Sequence, residues 1–165
     1  MADDEWKEET FDDEGTATRE RARPIVVALD FSAVARHALA WAIDQALRTG
    51  SELHTVHVVD RRLHKGDLSA DPTALKTELA QVHAEAGAEL ARQLDDEHRA
   101  KLGHVIEHIR VGSPADEILA VATELVASAI VVGSHGHGAV ERALLGSTAE
   151  RIVRRATCPV VVVKH

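Results

Sequence analysis

Aromatic side chains are almost missing from this sequence. Two Trp, two Phe and no Tyr make up 2% of its 165 residues, so a core has to be assembled from Val, Leu, Ile and Ala. One cysteine, Cys158, excludes an internal disulfide and a paired-cysteine zinc site. Placed before Pro159 and a run of valines, its thiol is expected to be buried and inert. Positive charge is also short: 19 Lys and Arg against 27 Asp and Glu leave a net charge of −8. That balance argues against general nucleic-acid binding, which needs a basic face. No apolar run approaches the roughly 20 residues that cross a bilayer, and the acidic N-terminal stretch lacks a signal-peptide pattern. The expectation is a cytoplasmic protein that makes no use of a membrane.

Several site signatures are absent too. Gly133-Ser134-His135-Gly136-His137-Gly138 has the outer glycines of a P-loop, but Ala139 and Val140 stand where Lys and Ser or Thr are required. The dinucleotide pattern G-x-G-x-x-G does not occur. There are 11 histidines, yet neither His104 with His108 nor His135 with His137 has zinc-site spacing, so no dedicated transition-metal site is expected. Asp30 ends the first strand pattern, but no acidic pair beside it and no matching lysine make it a phosphoryl acceptor.

What is present is a regular alternation of strand and helix patterns. The length suits one domain, and a hydrophobic content of 45% agrees with a real core. Residues 1–23 form an acidic tail or arm whose large apolar residues are Trp6 and Phe11, and residues 24–165 form the domain. Ile25 to Leu29 reads as a buried strand. Ser32 then caps a helix from Ala33 to Thr49 with an inward stripe of Ala35, Leu39, Ala42, Ile43 and Ala46, stopped by Gly50. Leu53 to Val59 is the second strand, followed by a polar loop from Arg61 to Pro72 and a long helix from Thr73 to about Ala100. Val105 to Val111 is the third strand. The next helix starts with Ser113 as cap, Pro114 in its first turn and Asp116 at the capping-box position, and its apolar face is Ile118, Leu119, Ala122, Leu125 and Val126. Ala129 to Val132 is the fourth strand, and a last helix with Ala149, Ile152, Val153 and Ala156 inward leads to Val160–Val163. This alternation predicts an α/β fold with a parallel sheet and helices on both faces. A four-valine strand opened by Pro159 fits a sheet edge, where a second chain can pair.

The fourth strand carries the functional signal. It runs straight into three glycines within six residues, and a further glycine, Gly146, stands at the mouth of the last helix. Bare glycines leave backbone N–H groups uncovered, and a helix N-terminus adds favourable potential for an anion, so the stretch has the outline of a phosphate cradle. Each piece also has a plain reading. The glycines can be turn residues, and Ser147 with Glu150 has the S-x-x-E spacing of a capping box that involves no ligand.

Gly133-Ser134-His135-Gly136, nine residues from His137 to Leu145, and then Gly146-Ser147 resemble the G-x-x-G, nine residues, G-[S/T] signature of ATP-binding members of the universal stress protein family. The resemblance extends from about Pro24 to His165. It implies a Rossmann-like three-layer sandwich with a five-stranded parallel sheet in the order 3-2-1-4-5. It also implies ATP, with or without Mg2+, held at the carboxyl edge between strands 1 and 4. The residues it places at ATP are Ala28, Asp30, Ser32, Val58, Val132, Gly133, His135, Gly136, His137, Gly146, Ser147, Thr148 and Ala149. Among them Asp30 lies near the adenosine or its metal, and Val58 meets adenine through its backbone, whereas His57 is a packed strand residue. Two positions depart from many relatives: His137 replaces Arg or Lys, and Ala149 replaces a hydroxyl residue. Protonation of His135 and His137 would then raise nucleotide affinity as pH drops. The implied function is a regulatory or partner-binding switch in stress adaptation, homodimeric through Val160 to Val163, with hydrolysis slow or absent. The alternatives are a slow ATP hydrolase or nucleotidyl-transfer enzyme of related fold, and an interaction module that binds no nucleotide.

Overall fold

The computed structural model describes residues 22–60, 72–93, 96–103, 105–136 and 145–164. The elements are β1 (Ile25–Ala28), α1 (Ala33–Thr49), β2 (Leu53–Val59), α2 (Pro72–Gln93), α3 (Asp96–Leu102), β3 (Val105–Val111), α4 (Pro114–Glu124), β4 (Ala129–Gly133), α5 (Ser147–Arg155) and β5 (Val160–Val163). The five strands form one sheet in the order β3-β2-β1-β4-β5, and every neighbouring pair is parallel.

Parallel strands buried on both faces need apolar residues at successive positions, and β1 supplies them with Ile25, Val26 and Val27 all buried. Because side chains alternate, Ile25 and Val27 join one core with Leu39, Ile43 and the rest of the α1 stripe. Val26 joins the opposite core with Val56, Ile130, Val132, Ile118, Val121 and Ile152, under α4 and α5. Both cores are almost wholly aliphatic, as the shortage of aromatics requires. The edge strand β5 divides the same way, with Val161 and Val163 against the first core and Val160 and Val162 against the second.

Helix α1 follows its sequence signals closely. The Ser32 hydroxyl accepts the Ala35 N–H at 3.1 Å, Gly50 closes the C-terminus in the left-handed region at φ 68°, and the five predicted stripe residues are buried. Elsewhere the structure corrects the sequence reading. The long helix expected from Thr73 is described as α2 and α3, with 94 and 95 outside the described residues, as are 61–71. Val126 lies beyond the end of α4, at φ 50° and 63% exposed, and Val121 fills the core position instead. Val153 faces outward at 48% exposure because the nine-residue α5 buries only Ala149 and Ile152. The capping box at α4 does not form, since Ser113 makes no side-chain cap bond. Asp116 is taken by the guanidinium groups of Arg151 and Arg155 across on α5, charge-assisted contacts that outweigh a bond to a backbone N–H.

The chain winds from β1 outward through β2 to β3, then crosses back to lay β4 on the other side of β1. The connections leaving β1 and β4 therefore diverge, and a crevice opens between them at the carboxyl edge of the sheet.

Candidate functional site

The crevice begins where β1 stops. The Leu29 N–H still donates to the Val56 carbonyl at 2.8 Å, and the chain then turns sharply through Asp30 and Phe31. Phe31 sits at φ 63°, a left-handed conformation unusual for a bulky residue and found where surrounding structure fixes a loop. Three contacts supply that fixing. The Ser32 N–H donates to Asp30 Oδ1 at 3.0 Å, Arg36 Nη1 donates to the Phe31 carbonyl at 3.2 Å, and the Phe31 ring stacks on His57 with centroids 4.7 Å apart. His57 Nδ1 lies 2.6 Å from the Leu29 carbonyl. A carbonyl only accepts, so the proton is on Nδ1. His57 thus holds the end of β1 rather than serving as plain strand packing.

The opposite wall is the loop after β4. The buried Ser134 donates its N–H to the Val163 carbonyl at 2.7 Å, and its own carbonyl accepts the Gly146 N–H at 2.7 Å. These bonds bring the start of α5 against the glycine loop. The capping-box reading of Ser147 fails here. The N-cap is Gly146, without any side-chain cap bond, and Ser147 is one residue inside the helix. The Glu150 carboxylate reaches forward to Arg154 instead of back to the cap. The first intrahelical bond is Glu150 N–H to the Gly146 carbonyl at 2.9 Å, so the N–H groups of Ser147, Thr148 and Ala149 have no partner within the helix.

The glycines are explained by close approach, not by unusual dihedrals. A β-carbon on Gly136 would stand 2.5 Å from Asp30 Oδ2. One on Gly133 would stand 3.0 Å from Val34 Cγ1, and one on Gly146 would stand 3.2 Å from the Ser134 carbonyl oxygen. A side chain at Gly146 would press on backbone and one at Gly136 on the Asp30 carboxylate, so both would reshape the walls of the crevice.

These walls enclose a cavity of about 680 Å³, within the range of small-molecule sites. Ala28, Asp30, Val58, Val132, Gly133, His135, Gly136, Gly146, Ser147, Thr148 and Ala149 all line it. Ser32 does not, because its hydroxyl is committed to capping α1. His137 lies outside the described residues. Val56, His57, Val59, Asp60 and Ser134 also face the cavity, together with Pro114 and Ile118 from α4 and Glu78 and Val82 from α2. Pro114 was findable in principle, since α4 starts at the carboxyl end of β3 and so at the same edge. Glu78 and Val82 carry no such signal, because their placement depends on how α2 packs.

The lining has two characters. Val56, Val58, Val82, Ile118 and Val132 give an apolar surface suited to a flat ring, and the glycine loop with the α5 N-terminus offers N–H groups suited to an anion. Among the described residues no group of three or more His, Cys, Asp and Glu is arranged to hold a metal ion. Just outside, the Asp116 carboxyl is held below its ordinary range, first by its hydrogen bond from Arg155 and then by Ser113.

Comparison with known proteins places these features in a wider set. The model of the universal stress protein family matches residues 21–164. A universal stress protein of Methanocaldococcus jannaschii is 33% identical over 142 residues, which span 86% of this chain and 82% of that protein. Among solved structures, universal stress protein UspA from Lactobacillus plantarum superposes with a TM-score of 0.68 at 25% identity, covering 86% of this chain and 98% of that one. The universal stress protein from Archaeoglobus fulgidus in complex with dAMP gives a TM-score of 0.59 at 27% identity, covering 87% and 99%.

Proposed function

The chain belongs to the universal stress protein family, and on that premise we propose that it binds ATP, with or without Mg2+, in the cavity between β1 and β4 and works as a nucleotide-dependent regulatory or partner-binding switch. The observation that carries this reading is the uncapped start of α5 opening onto the same cavity as the glycine loop. Free N–H groups at a helix N-terminus favour phosphate, and the aliphatic half of the cavity suits adenine. The Archaeoglobus fulgidus relative, solved with dAMP, supports an adenine nucleotide as the ligand class. With a net charge of −8, the protein holds polyphosphate by local dipoles against an unfavourable overall field, so affinity is modest and assisted by a cation.

Calorimetry with ATP and Mg2+ tests this. The wild type should bind one nucleotide per chain, and Gly146→Val should lose binding while still unfolding cooperatively. A wild type that takes up no nucleotide makes the chain an interaction module and ends the reading. Slow hydrolysis is a second reading, favoured by the carboxylates of Asp30, Asp60 and Glu78 lining one cavity. Turnover above a few per minute, abolished by Asp30→Ala, would promote it over the switch.

The homodimer belongs to the same proposal. Strand β5 is a sheet edge of four half-buried valines, and a second copy pairing there would cover the unpaired backbone groups. A clean monomer in sedimentation at micromolar concentration would remove it. No helix among the described residues is long and apolar enough to cross a membrane.

A further inference from the structure

Next to the anion end of the cavity stands a cation in a loose grip. Arg151 Nη1 donates to Ser113 Oγ at 3.4 Å, and Nη2 reaches the Asp116 carboxylate at 3.2 and 3.4 Å. These are long contacts for charged partners. Asp116 is shared: Arg155 makes the shorter contact to the same carboxylate. The side chains of Arg151 and Asp116 are 45% and 42% exposed. Letting Arg151 go therefore costs little, because Asp116 keeps Arg155 and both groups stay hydrated.

Helix geometry says where Arg151 can go. It lies four residues after Ser147 and three after Thr148, on the same face of α5, and side chains on a helix lean toward its N-terminus. Ser147 and Thr148 line the cavity, as does Pro114, the neighbour of Ser113. The guanidinium itself is held outside the lining, on Ser113 and Asp116, one turn along α5 from residues that line the cavity.

Resting on the nucleotide reading above, we infer that Arg151 distinguishes a nucleoside triphosphate from a monophosphate by leaving Asp116 and Ser113 for the distal phosphates. A monophosphate is served by the loop amides alone and ends short of the rim. A triphosphate carries more negative charge farther along, enough to compete with a carboxylate already held by Arg155. The exchange also ties phosphate number to the α4–α5 junction, because Arg151 is one of the two arginines that link α5 to Asp116. A partner that reads that junction would sense ATP and not AMP.

The test is paired calorimetry with ATP and AMP, both with Mg2+, on the wild type and three exposed-site variants. Arg151→Gln should weaken ATP by about three- to tenfold and leave AMP unchanged. Asp116→Asn, which removes the competitor, should strengthen ATP about twofold or more with AMP again unchanged. Arg154→Gln, equal in charge change but tied to Glu150, should leave the ATP-to-AMP ratio as it was. An unchanged ratio in Arg151→Gln with normal wild-type binding overturns this inference alone, and so does an equal drop in Arg154→Gln, which would mark a general charge effect. Failure of the wild type to bind either nucleotide overturns the nucleotide reading and this inference with it.

Discussion

Helices α4 and α5 begin at the same edge of the sheet with nearly the same sequence pattern, Ser113-Pro-Ala-Asp116 and Ser147-Thr-Ala-Glu150. The structure treats them oppositely. In α4 Ser113 is the N-cap residue, and its hydroxyl and the Asp116 carboxylate are drawn into contacts with arginines from α5. In α5 the cap position moves one residue back to Gly146, so Ser147 enters the first turn and Glu150 turns away to Arg154. The far end of α4 is tied as well, with Arg110 Nη2 donating to Glu124 Oε2 at 2.6 Å. Neither helix start has a side-chain cap bond, but at α4 the polar side chains of the first turn are engaged by arginines, whereas at α5 the whole first turn lines the cavity. At α5 the shift of one residue puts Gly146 at the cap, which contributes no side-chain acceptor to compete with an anion.

The most damaging way to break this contrast is to close the open end. Gly136→Val should weaken ATP binding about tenfold or more, roughly 1.4 kcal/mol. Its β-carbon would stand 2.5 Å from Asp30 Oδ2 and displace the carboxylate that accepts the Ser32 N–H. Calorimetry gives the affinity, and an unchanged value would mean that the glycine loop does not shape the site.

A smaller effect separates caps from ligand groups. Ser32 is a true cap, so Ser32→Ala should cost about 1 kcal/mol of stability and lower Tm by roughly 2–4 °C. Ser147→Ala should leave Tm within about a degree, because the hydroxyl makes no cap bond, and should weaken ATP by a few-fold, on the order of 1 kcal/mol for one hydrogen bond. Ser113→Ala should change neither by much. Thermal melts and titrations of the three variants sharpen the comparison, and a large Tm loss in Ser147→Ala would reverse it.

The smallest expected effect is a pH dependence on β3, beside the end of α4. His108, next to the Arg110–Glu124 link, has its pKa pushed below the ordinary 6.5, first by burial, then by His54 and Arg110, with Glu124 opposing. His54 Nδ1 lies 2.9 Å from His108 Nε2, and Glu52 is the carboxylate 3.6 Å from the other nitrogen of His54. A histidine with a depressed folded pKa binds protons more readily when unfolded, so its contribution is intact above pH 6.5 and is lost as pH falls below it. His108→Gln should flatten the Tm profile below pH 6.5. A profile equally steep in the variant would place the acid sensitivity elsewhere.

Much of this architecture is legible in the residues. The β-branched runs mark the strands, and the stripe from Ala35 to Ala46 with Ser32 and Gly50 defines α1 almost to the residue, since both ends carry side-chain or backbone signals that act locally. The glycine spacing from Gly133 to Gly146 leads to the cavity for the same reason. Three features could not be read in this way. Asp116 looks like a capping-box residue until Arg151 and Arg155, 35 and 39 positions away, compete for it. Ser147 looks like a cap until the Gly146 N–H is drawn onto the Ser134 carbonyl. Glu78 and Val82 reach the cavity only through the packing of α2. In each case a long-range contact overrides a local pattern, and the pattern alone does not say which wins.

The central claim is that phosphate is gripped by main-chain N–H groups at the open start of α5. Backbone amide NMR during an ATP and Mg2+ titration tests it most directly. The account predicts that Ser147, Thr148 and Ala149 show the largest saturable shifts, with Gly133 and Gly136 next. Saturable ATP binding that leaves the amides of Ser147, Thr148 and Ala149 unmoved would contradict it.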